Sequence, residues 1–164
     1  MWREKEMANI NTNVIDTTEL RITKLRTYLF SIIDTLLTDT KYSINANMLS
    51  ADPNNYSIDK IPTEPKVEKW IIGDEIHHDV YSFRSRNNYS QDTLNNLKNI
   101  GFFEVFESKI KSNNEQGILP QIDGIQEIRC LNCGSMNNAS TNTAEFDIQI
   151  EIDYLDIGNK SSSL

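Results

Sequence analysis

The sequence is poor in the residue types on which metal, disulfide and phosphate sites depend. Its 164 residues include two cysteines, two histidines, six glycines and four prolines. It contains no glycine-rich phosphate loop, no GxSxG nucleophile motif and no HExxH zinc motif. We therefore predict no catalytic, cofactor-binding or metal-binding residues.

Basic residues are also scarce. Sixteen Lys and Arg residues stand against 24 Asp and Glu residues, which gives a net charge of -8 and an isoelectric point near 4.7. A surface field of this sign repels nucleic acid and anionic membranes on balance. A DNA-binding role is therefore disfavoured.

Long apolar runs are missing as well. Nothing in the sequence approaches the roughly 20 apolar residues of a membrane span, and the first residues, MWREKEMAN, lack the apolar core of a signal peptide. We expect a protein that is made in the cytoplasm and has no membrane partner. A chain of 164 residues has the usual size of one domain and can bury a core without metal or disulfide staples.

The two cysteines, Cys130 and Cys133, form a CxxC motif in RCLNCGS. A structural zinc site needs four ligands, and the only histidines are the neighbours His77 and His78, which on a strand point to opposite faces. Either histidine would bind a metal only if further ligands approached in space. A redox CxxC belongs at a helix N-terminus, whereas a strand-like run leads into this one. We expect two reduced thiols at a strand end and keep a thiol or metal module as an alternative.

The first regular element follows a polar arm, residues 1–17, which we expect to be flexible. Thr17 or Thr18 can cap a helix, and Glu19 suits the positive end of its dipole. Apolar residues then recur at a spacing of three and four, namely Leu20, Ile22, Leu25, Leu29, Ile32, Ile33 and Leu36. We predict a helix from Thr18 to about Asp39.

The next segments favour loops and strands. Short apolar runs in residues 41–65 are broken by prolines, so we predict one or two short strands at an edge of the sheet or outside it. The segment VEKWIIGDEIHHDVYSF predicts two strands that meet at a tight turn at Gly73 and Asp74. This pattern indicates a hairpin.

A second helix is predicted after Ser90, a good N-cap residue. Its apolar face would comprise Leu94, Leu97, Ile100, Phe102, Phe103, Phe106 and Ile110. Gly101 interrupts this pattern at a cost of about 1 kcal/mol relative to alanine, so we expect a bend or a short break there. Gly117 and Pro120 are ordinary stop signals.

The last third of the sequence carries the clearest strand pattern. From Phe146 to Tyr154, apolar residues alternate with Asp147, Gln149, Glu151 and Asp153, which predicts one core face and one solvated acidic face. The residues that mark a partner strand are Ile125, Ile128 and Leu131. Residues 134–145, GSMNNASTNTAE, are predicted to form a long polar connection, and residues 157–164 a flexible tail.

Together these elements predict one α+β domain over residues 18–156. Two main helices would pack on one face of a mainly antiparallel sheet.

The segment YSFRSRNNYSQDTLNNL, residues 81–97, places two arginines on one side of a strand end, just before the predicted second helix. Free N–H groups at a helix start favour anions, so a phosphate site is physically possible. The segment lacks a glycine for close backbone approach, and acidic partners are plentiful. We therefore favour salt bridges within or between subunits. The predicted oligomer-interface residues are Tyr81, Arg84, Arg86 and Tyr89.

Two long segments carry a family resemblance: KIPTEPKVEKWIIGDEIHHDVYSFRSRNNYSQDTLNNLKNIGFFEVFESKI and GILPQIDGIQEIRCLNCGSMNNASTNTAEFDIQIEIDY. Their notable features are a hairpin ending in FxxR before an N-capped helix, the GFFEVFESKI helix, an LP element, and a final strand that alternates towards an aromatic residue. Over about residues 60–155 the chain resembles small neck or tail proteins of phages, prophages and phage-tail-like bacteriocins of Gram-positive bacteria. These proteins are commonly labelled minor capsid protein and are similar to tail terminators.

The resemblance implies a tail-terminator-like α+β fold without enzyme activity or cofactors. It implies a homohexameric ring in a virion or tail-like particle assembled in the host cytoplasm. The implied partners are the tail tube protein, a neck, connector or collar protein, and DNA that passes through the lumen without specific binding. An acidic lining would limit adhesion of that DNA. The nearest alternative is another head-tail connector or tail-completion protein of the same neck.

Overall fold

A computed structural model describes residues 17–37, 41–63, 66–69, 73–88, 93–132, 134–139 and 142–156, of which residues 66, 67 and 93–100 are described by their backbone alone. The elements in chain order are α1 (Thr18–Leu36), β1 (Ser43–Ala46), β2 (Asn55–Lys60), β3 (Lys66–Lys69), β4 (Glu75–Asn88), α2 (Thr93–Glu115), β5 (Ile125–Cys130), β6 (Ser135–Ala139) and β7 (Thr143–Asp156).

A long antiparallel pair, β4 with β7, forms the centre of the sheet. The two strands are paired along their whole length, from Glu75 opposite Asp156 to Asn88 opposite Thr143. On the other side of β4 lie β2 and β3, and on the other side of β7 lie β5 and β6. β1 extends the sheet beyond β2, and the β1–β2 pair is parallel.

Both helices pack on the same face of this sheet. Side chains of α1, α2 and the sheet share one buried core, in which the ring of Phe106 on α2 stacks on that of Phe83 on β4 with centroids 5.2 Å apart. The residues of this core on β4, Tyr81 and Phe83, are odd-numbered, and those on β7 are even-numbered from Ala144 to Tyr154. The predicted α+β fold, with helices on one face of a mostly antiparallel sheet, is confirmed.

The first helix begins as the sequence predicts. The Thr17 hydroxyl oxygen accepts a hydrogen bond from the amide of Leu20 at 3.2 Å, which satisfies one of the unpaired donors of the first turn. The helix ends at Leu36 rather than near Asp39. The assignment of Leu20 to the apolar face is wrong, since this residue is 42% exposed.

The second helix runs through Gly101 without a break, so the expectation of a short break there is wrong. The neighbours Phe103 and Phe106 are buried, and their packing offsets the modest helix penalty of one glycine. The stop is confirmed, because the helix ends at Glu115 and Gly117 follows with φ +71°. The predicted cap, Ser90, lies outside the described residues.

The hairpin and the strands before it are confirmed with one correction. β3 and β4 pair antiparallel, with Lys69 opposite Glu75, and Gly73, at the predicted turn, has φ +89°, a conformation that favours glycine. Residues 70–72 of the connection lie outside the described residues. Two short strands, β1 and β2, precede the hairpin as predicted. However, β2 lies inside the sheet between β1 and β4. A proline within β2 would have removed a backbone hydrogen bond, but Pro62 comes after the strand ends at Lys60.

The predicted polar connection before β7 contains a strand. β6 has five exposed side chains and pairs with β7, so backbone hydrogen bonds rather than an apolar pattern hold it in place. Gly134 precedes it where an added Cβ would lie 2.4 Å from Cγ of Phe103, which leaves no room for a side chain. Leu131, assigned to the partner strand, lies just beyond β5 and is exposed.

The predicted flexible arm and tail fall almost wholly on residues 1–16 and 157–164, which lie outside the described part of the chain. They remain predictions. Neither described helix combines the length and the apolar composition that crossing a lipid bilayer requires.

Candidate functional site: the charged face of the sheet

The face of the sheet that α1 and α2 leave uncovered is rich in charge. It carries the even-numbered residues of β4 and the odd-numbered residues of β7. We call it the charged face. Its titratable side chains on strands β2, β4, β5 and β7 are Asp59, His78, Arg84, Arg86, Glu127, Arg129, Glu145, Asp147, Glu151 and Asp153. On these four strands six carboxylates thus face three guanidinium groups, a net charge of -3 with the histidine counted as uncharged. Glu68 of β3 adds a further carboxylate, with Oε1 3.8 Å from Nε2 of His78.

The first of two ion-pair clusters surrounds Arg84. Its Nε and Nη2 atoms lie 2.6 Å and 2.5 Å from Oδ2 of Asp59, and its Nη1 lies 3.3 Å from Oε1 of Glu145. Nη2 of Arg86 lies 3.4 Å from Oε2 of the same glutamate. The cluster ties β2, β4 and β7 together across the sheet. The predicted pairing of both arginines with carboxylates is confirmed within one subunit.

The second cluster surrounds Arg129 on β5. Its Nη1 lies 2.7 Å from Oδ2 of Asp153 and 3.1 Å from Oε2 of Glu127, while its Nη2 contacts Glu151. His78 completes the cluster, with Nδ1 2.6 Å from Oδ1 of Asp153. Glu151 and Asp153 are each only 8% exposed. The expected solvated acidic face is therefore wrong at these two positions, where neighbouring side chains cover and pair the carboxylates.

The carboxylates keep the central guanidinium groups charged. Partial burial by itself lowers the pKa of Arg84, but the hydrogen bonds and charges of Asp59 and Glu145 more than offset this, so the pKa is raised. For Arg129, burial again lowers the pKa, and Asp153, with the neighbouring glutamates, raises it above its ordinary value. Both clusters are thus fixed ion pairs.

A cleft of about 320 Å³ lies beside the second cluster, whose His78 and Glu151 form part of its wall. Its lining includes His78, Val80 and Gln149 on the central strands and Ile61 and Leu131 at its two sides. The apolar parts of this lining can receive a side chain from a partner, with charged groups at the rim to orient it.

One predicted interface residue, Tyr81, does not belong to this surface. Tyr81 is fully buried, with its hydroxyl 3.4 Å from Oδ2 of Asp79. It occupies an odd-numbered position of β4 and so points under the helices, whereas Arg84 and Arg86 occupy even-numbered positions. Tyr81 is therefore a core residue and cannot touch a second subunit in this fold. Tyr89 lies outside the described residues.

The adjacent histidines point to opposite faces, as the strand geometry predicts. His78 meets Glu151 and Asp153 on the charged face, and His77 meets Glu75 and Asp156 on the other face. Sequence reasoning missed these groupings, since in each case a carboxylate comes from β7, more than 70 residues later. The strand alternation alone, once β4 and β7 are known to pair, would have found them.

The CxxC motif begins at a strand end, as expected. Cys130 is the last residue of β5, and it lines a cleft of about 480 Å³ beside Ile110, Lys111 and Asn114 of α2 and Arg129 of β5. Cys133 lies outside the described residues. A strand end lacks the helix dipole that activates a redox thiol.

We expect the double substitution of Cys130→Ser and Cys133→Ser to leave folding and particle assembly intact, because serine preserves the size of each side chain. Thermal melting and sedimentation of the variant beside the wild type measure this. Loss of assembly, together with tightly bound zinc in the wild type, would contradict it and favour the thiol or metal module.

The charged face presents a fixed pattern of charge, because its three guanidinium groups are paired with carboxylates on neighbouring strands of the sheet. Such a surface can select a partner of matching charge or keep a polyanion from adhering. In comparisons with known proteins, no family model matches the chain, and no curated protein matches it significantly.

Proposed function

We propose that this protein is a tail terminator of a phage or phage-tail-like particle. In this role it is a structural subunit without enzyme activity, forms a homohexameric ring on the end of the tail tube, and joins the tube to the neck or head. The proposal starts from the resemblance of residues 60–155 to that group of proteins. The observation that carries it is the charged face, a broad acidic surface built on the two longest strands.

The charge of this surface fits a ring through which DNA passes. Duplex DNA carries one negative charge per about 1.7 Å of its axis, and a protein that neutralises phosphates binds it tightly. The charged face holds at least twice as many carboxylates as guanidinium groups, and the guanidinium groups are already paired. Facing the lumen, it would let DNA move without specific binding.

The sheet edges fit the assembly of a ring. β6 pairs with β7 along one edge, and within the described residues no strand pairs with its other edge. All five of its side chains are exposed. Such an edge can add to a strand of a neighbour through main-chain hydrogen bonds. β1 offers a similar edge at the opposite side of the sheet.

Analytical ultracentrifugation and negative-stain microscopy test the proposal directly. The purified chain is examined alone and after mixing with tail tubes assembled from the tube protein of the same particle. We expect rings on tube ends and an arrest of tube growth. A protein that stays monomeric, leaves tube growth unchanged and does not bind tubes would refute the proposal, whereas binding only to the head-side neck proteins would favour the connector alternative.

The arginines of the first cluster offer a sharper test. We expect Arg84→Ala and Arg86→Ala to weaken ring formation or tube capping, because each removes a positive charge from an acidic face that the subunits of a ring bring together around the lumen, and so increases repulsion among the subunits. The monomer should stay folded, since partly exposed ion pairs contribute only about 0–1 kcal/mol each. Sedimentation velocity measures assembly, and circular dichroism measures folding.

Arg26→Ala is the charge-matched control, because Arg26 lies on α1, with its guanidinium over the ring of Phe30. It should assemble like the wild type. A phosphate and nucleotide titration of the wild type accompanies the series. Unchanged assembly of both arginine variants, combined with saturable micromolar nucleotide binding, would overturn the structural role and favour a phosphate site.

A further inference from the structure

A separate cluster of potential ligands lies at one end of the central strand pair, on the face opposite the charged face. Nε2 of His77 lies 3.4 Å from Oε2 of Glu75 and 3.5 Å from Oδ2 of Asp156. The three atoms lie within 4.8 Å of one another. They therefore converge on a single point in space, which a small cation can occupy.

The backbone fixes this arrangement. Glu75 and Asp156 are directly opposite each other in the β4–β7 pair, and His77 is two residues from Glu75 and so on the same face. The His77 ring stacks on the Tyr154 ring, with centroids 5.3 Å apart and an angle of 15° between the planes. Two paired strands and one aromatic ring thus preorganise the three ligand atoms.

The imidazole atom that points into the cluster has no hydrogen-bond partner among the described residues, although it is buried. One N–H cannot point at two carboxylate oxygens at once, and neither contact has hydrogen-bond geometry. A buried polar atom without a partner is costly. A cation bound to its lone pair would remove that cost and would also neutralise the facing carboxylates.

We propose that Glu75, His77 and Asp156 bind a divalent transition-metal ion, with Zn²⁺ as the preferred ion. Tetrahedral zinc with bonds of about 2.1 Å requires ligand atoms about 3.4 Å apart. The separations of Nε2 of His77 from the two carboxylate oxygens, 3.4 Å and 3.5 Å, match this. The imidazole ligand argues against Ca²⁺ and Mg²⁺, which prefer oxygen. Three protein ligands leave a fourth position open to water or to a group from a neighbouring molecule.

The comparison with the similar cluster at His78 supports this choice. There, Arg129 already contacts both Glu151 and Asp153, so a guanidinium group supplies the positive charge. At His77, the ion-paired cation is Lys69, whose Nζ lies 3.6 Å from the other carboxylate oxygen of Glu75 and whose side chain is 77% exposed. Oε2 of Glu75 and Oδ2 of Asp156 remain directed at His77.

The site goes beyond the proposed function and does not depend on it. A bound ion would link the start of β4 to the end of β7. The described β4–β7 pairing ends there, at Glu75 opposite Asp156. Metal binding would therefore raise the stability of this end of the sheet whether or not the protein forms rings.

Zinc titration of the full chain by calorimetry tests the site, with the Cys130→Ser, Cys133→Ser double variant as the background, because the CxxC thiols are the competing zinc ligands. We expect one zinc per chain with micromolar affinity. Cobalt substitution should give the absorption bands of a four-coordinate ion, and proton NMR should show the ring signals of His77 shifting while those of His78 stay in place.

His77→Ala and Asp156→Asn should each lower zinc affinity at least about tenfold, the smallest loss typical even for partners of metal ligands. His78→Gln, the matched control, should bind zinc as the background does. Asp156→Asn keeps the side-chain shape, so it remains informative if His77→Ala folds poorly. Absence of zinc binding in the background, or zinc affinity that His77→Ala leaves unchanged, would overturn the proposal.

Discussion

The substitution Ile150→Asp is expected to unfold the domain. Ile150 lies at the middle of β7, opposite Tyr81 on β4 and Cys130 on β5, and its side chain is fully buried. A carboxylate placed there would lose its hydration without gaining a partner, at a cost of several kcal/mol. The free energy of unfolding of a typical domain is only about 5–15 kcal/mol. Circular dichroism and urea denaturation measure the loss.

Ile118→Asp is the control for Ile150→Asp. It makes the same chemical change at an isoleucine that is about half exposed, just beyond α2, so the free energy of unfolding should change by no more than about 0.5 kcal/mol. Ile150→Val, which removes one methylene group, should cost about 0.5–1.5 kcal/mol. An Ile150→Asp variant that melts at the wild-type temperature would show that this face of β7 is not core.

The two faces of β7 show what an alternating pattern reveals and what it leaves hidden. Its apolar residues from Phe146 to Tyr154 are buried, as the alternation predicts, because one side of the strand must pack under the helices. The same pattern could not show that Glu151 and Asp153 are buried too. Their cover comes from Arg129 and His78 on the neighbouring strands, and the pairing of those strands is a tertiary property.

β6 was missed for a related reason. Its residues, SMNNA, carry no alternation of apolar and polar side chains, and all five are exposed. The strand exists because β7 is longer than β5 and leaves backbone groups to be paired near Phe146. A strand that is held by its backbone alone leaves almost no pattern in the sequence.

The sequence predicted the type of partner that the two arginines have, but not which residues those partners are. The excess of acidic residues favoured carboxylate partners on simple counting, and the structure places Arg84 between Asp59 and Glu145. The identity of those partners was not accessible, since they lie 25 and 61 residues away along the chain. The wrong placement of Tyr81 was avoidable, because its odd position on the strand already separated it from the two arginines.

The long β4–β7 pair explains why one small domain carries two different polar sites. All fourteen residues of each strand are paired, and the helices pack on only one face of the sheet. One face therefore supports the ion-pair clusters along its length, while the other leaves room for Glu75, His77 and Asp156 at its end. Both sites inherit their geometry from the register of a single strand pair, so a shift of one residue would destroy both.

The substitution Phe106→Ala is expected to be the second most damaging change. Phe106 is fully buried, and its ring stacks on Phe83 of β4 and Phe102 of α2, with centroids 5.2 Å and 6.2 Å apart. Truncation would leave a cavity between α2 and the sheet that the surrounding strands cannot fill. Losses for such changes are about 3–5 kcal/mol, which corresponds to a drop in melting temperature of roughly 6–20 °C for a domain of this size.

Differential scanning calorimetry measures that drop, and Val105→Ala is its matched control. Val105 is the preceding residue of the same helix but points to solvent, so its truncation should change the free energy of unfolding by no more than about 0.5 kcal/mol. Equal melting temperatures for the two variants would mean that α2 does not dock on the sheet through its phenylalanines. A large drop in melting temperature for Phe106→Ala alone would show that the packing of Phe106 on Phe83 and Phe102 holds α2 on the sheet.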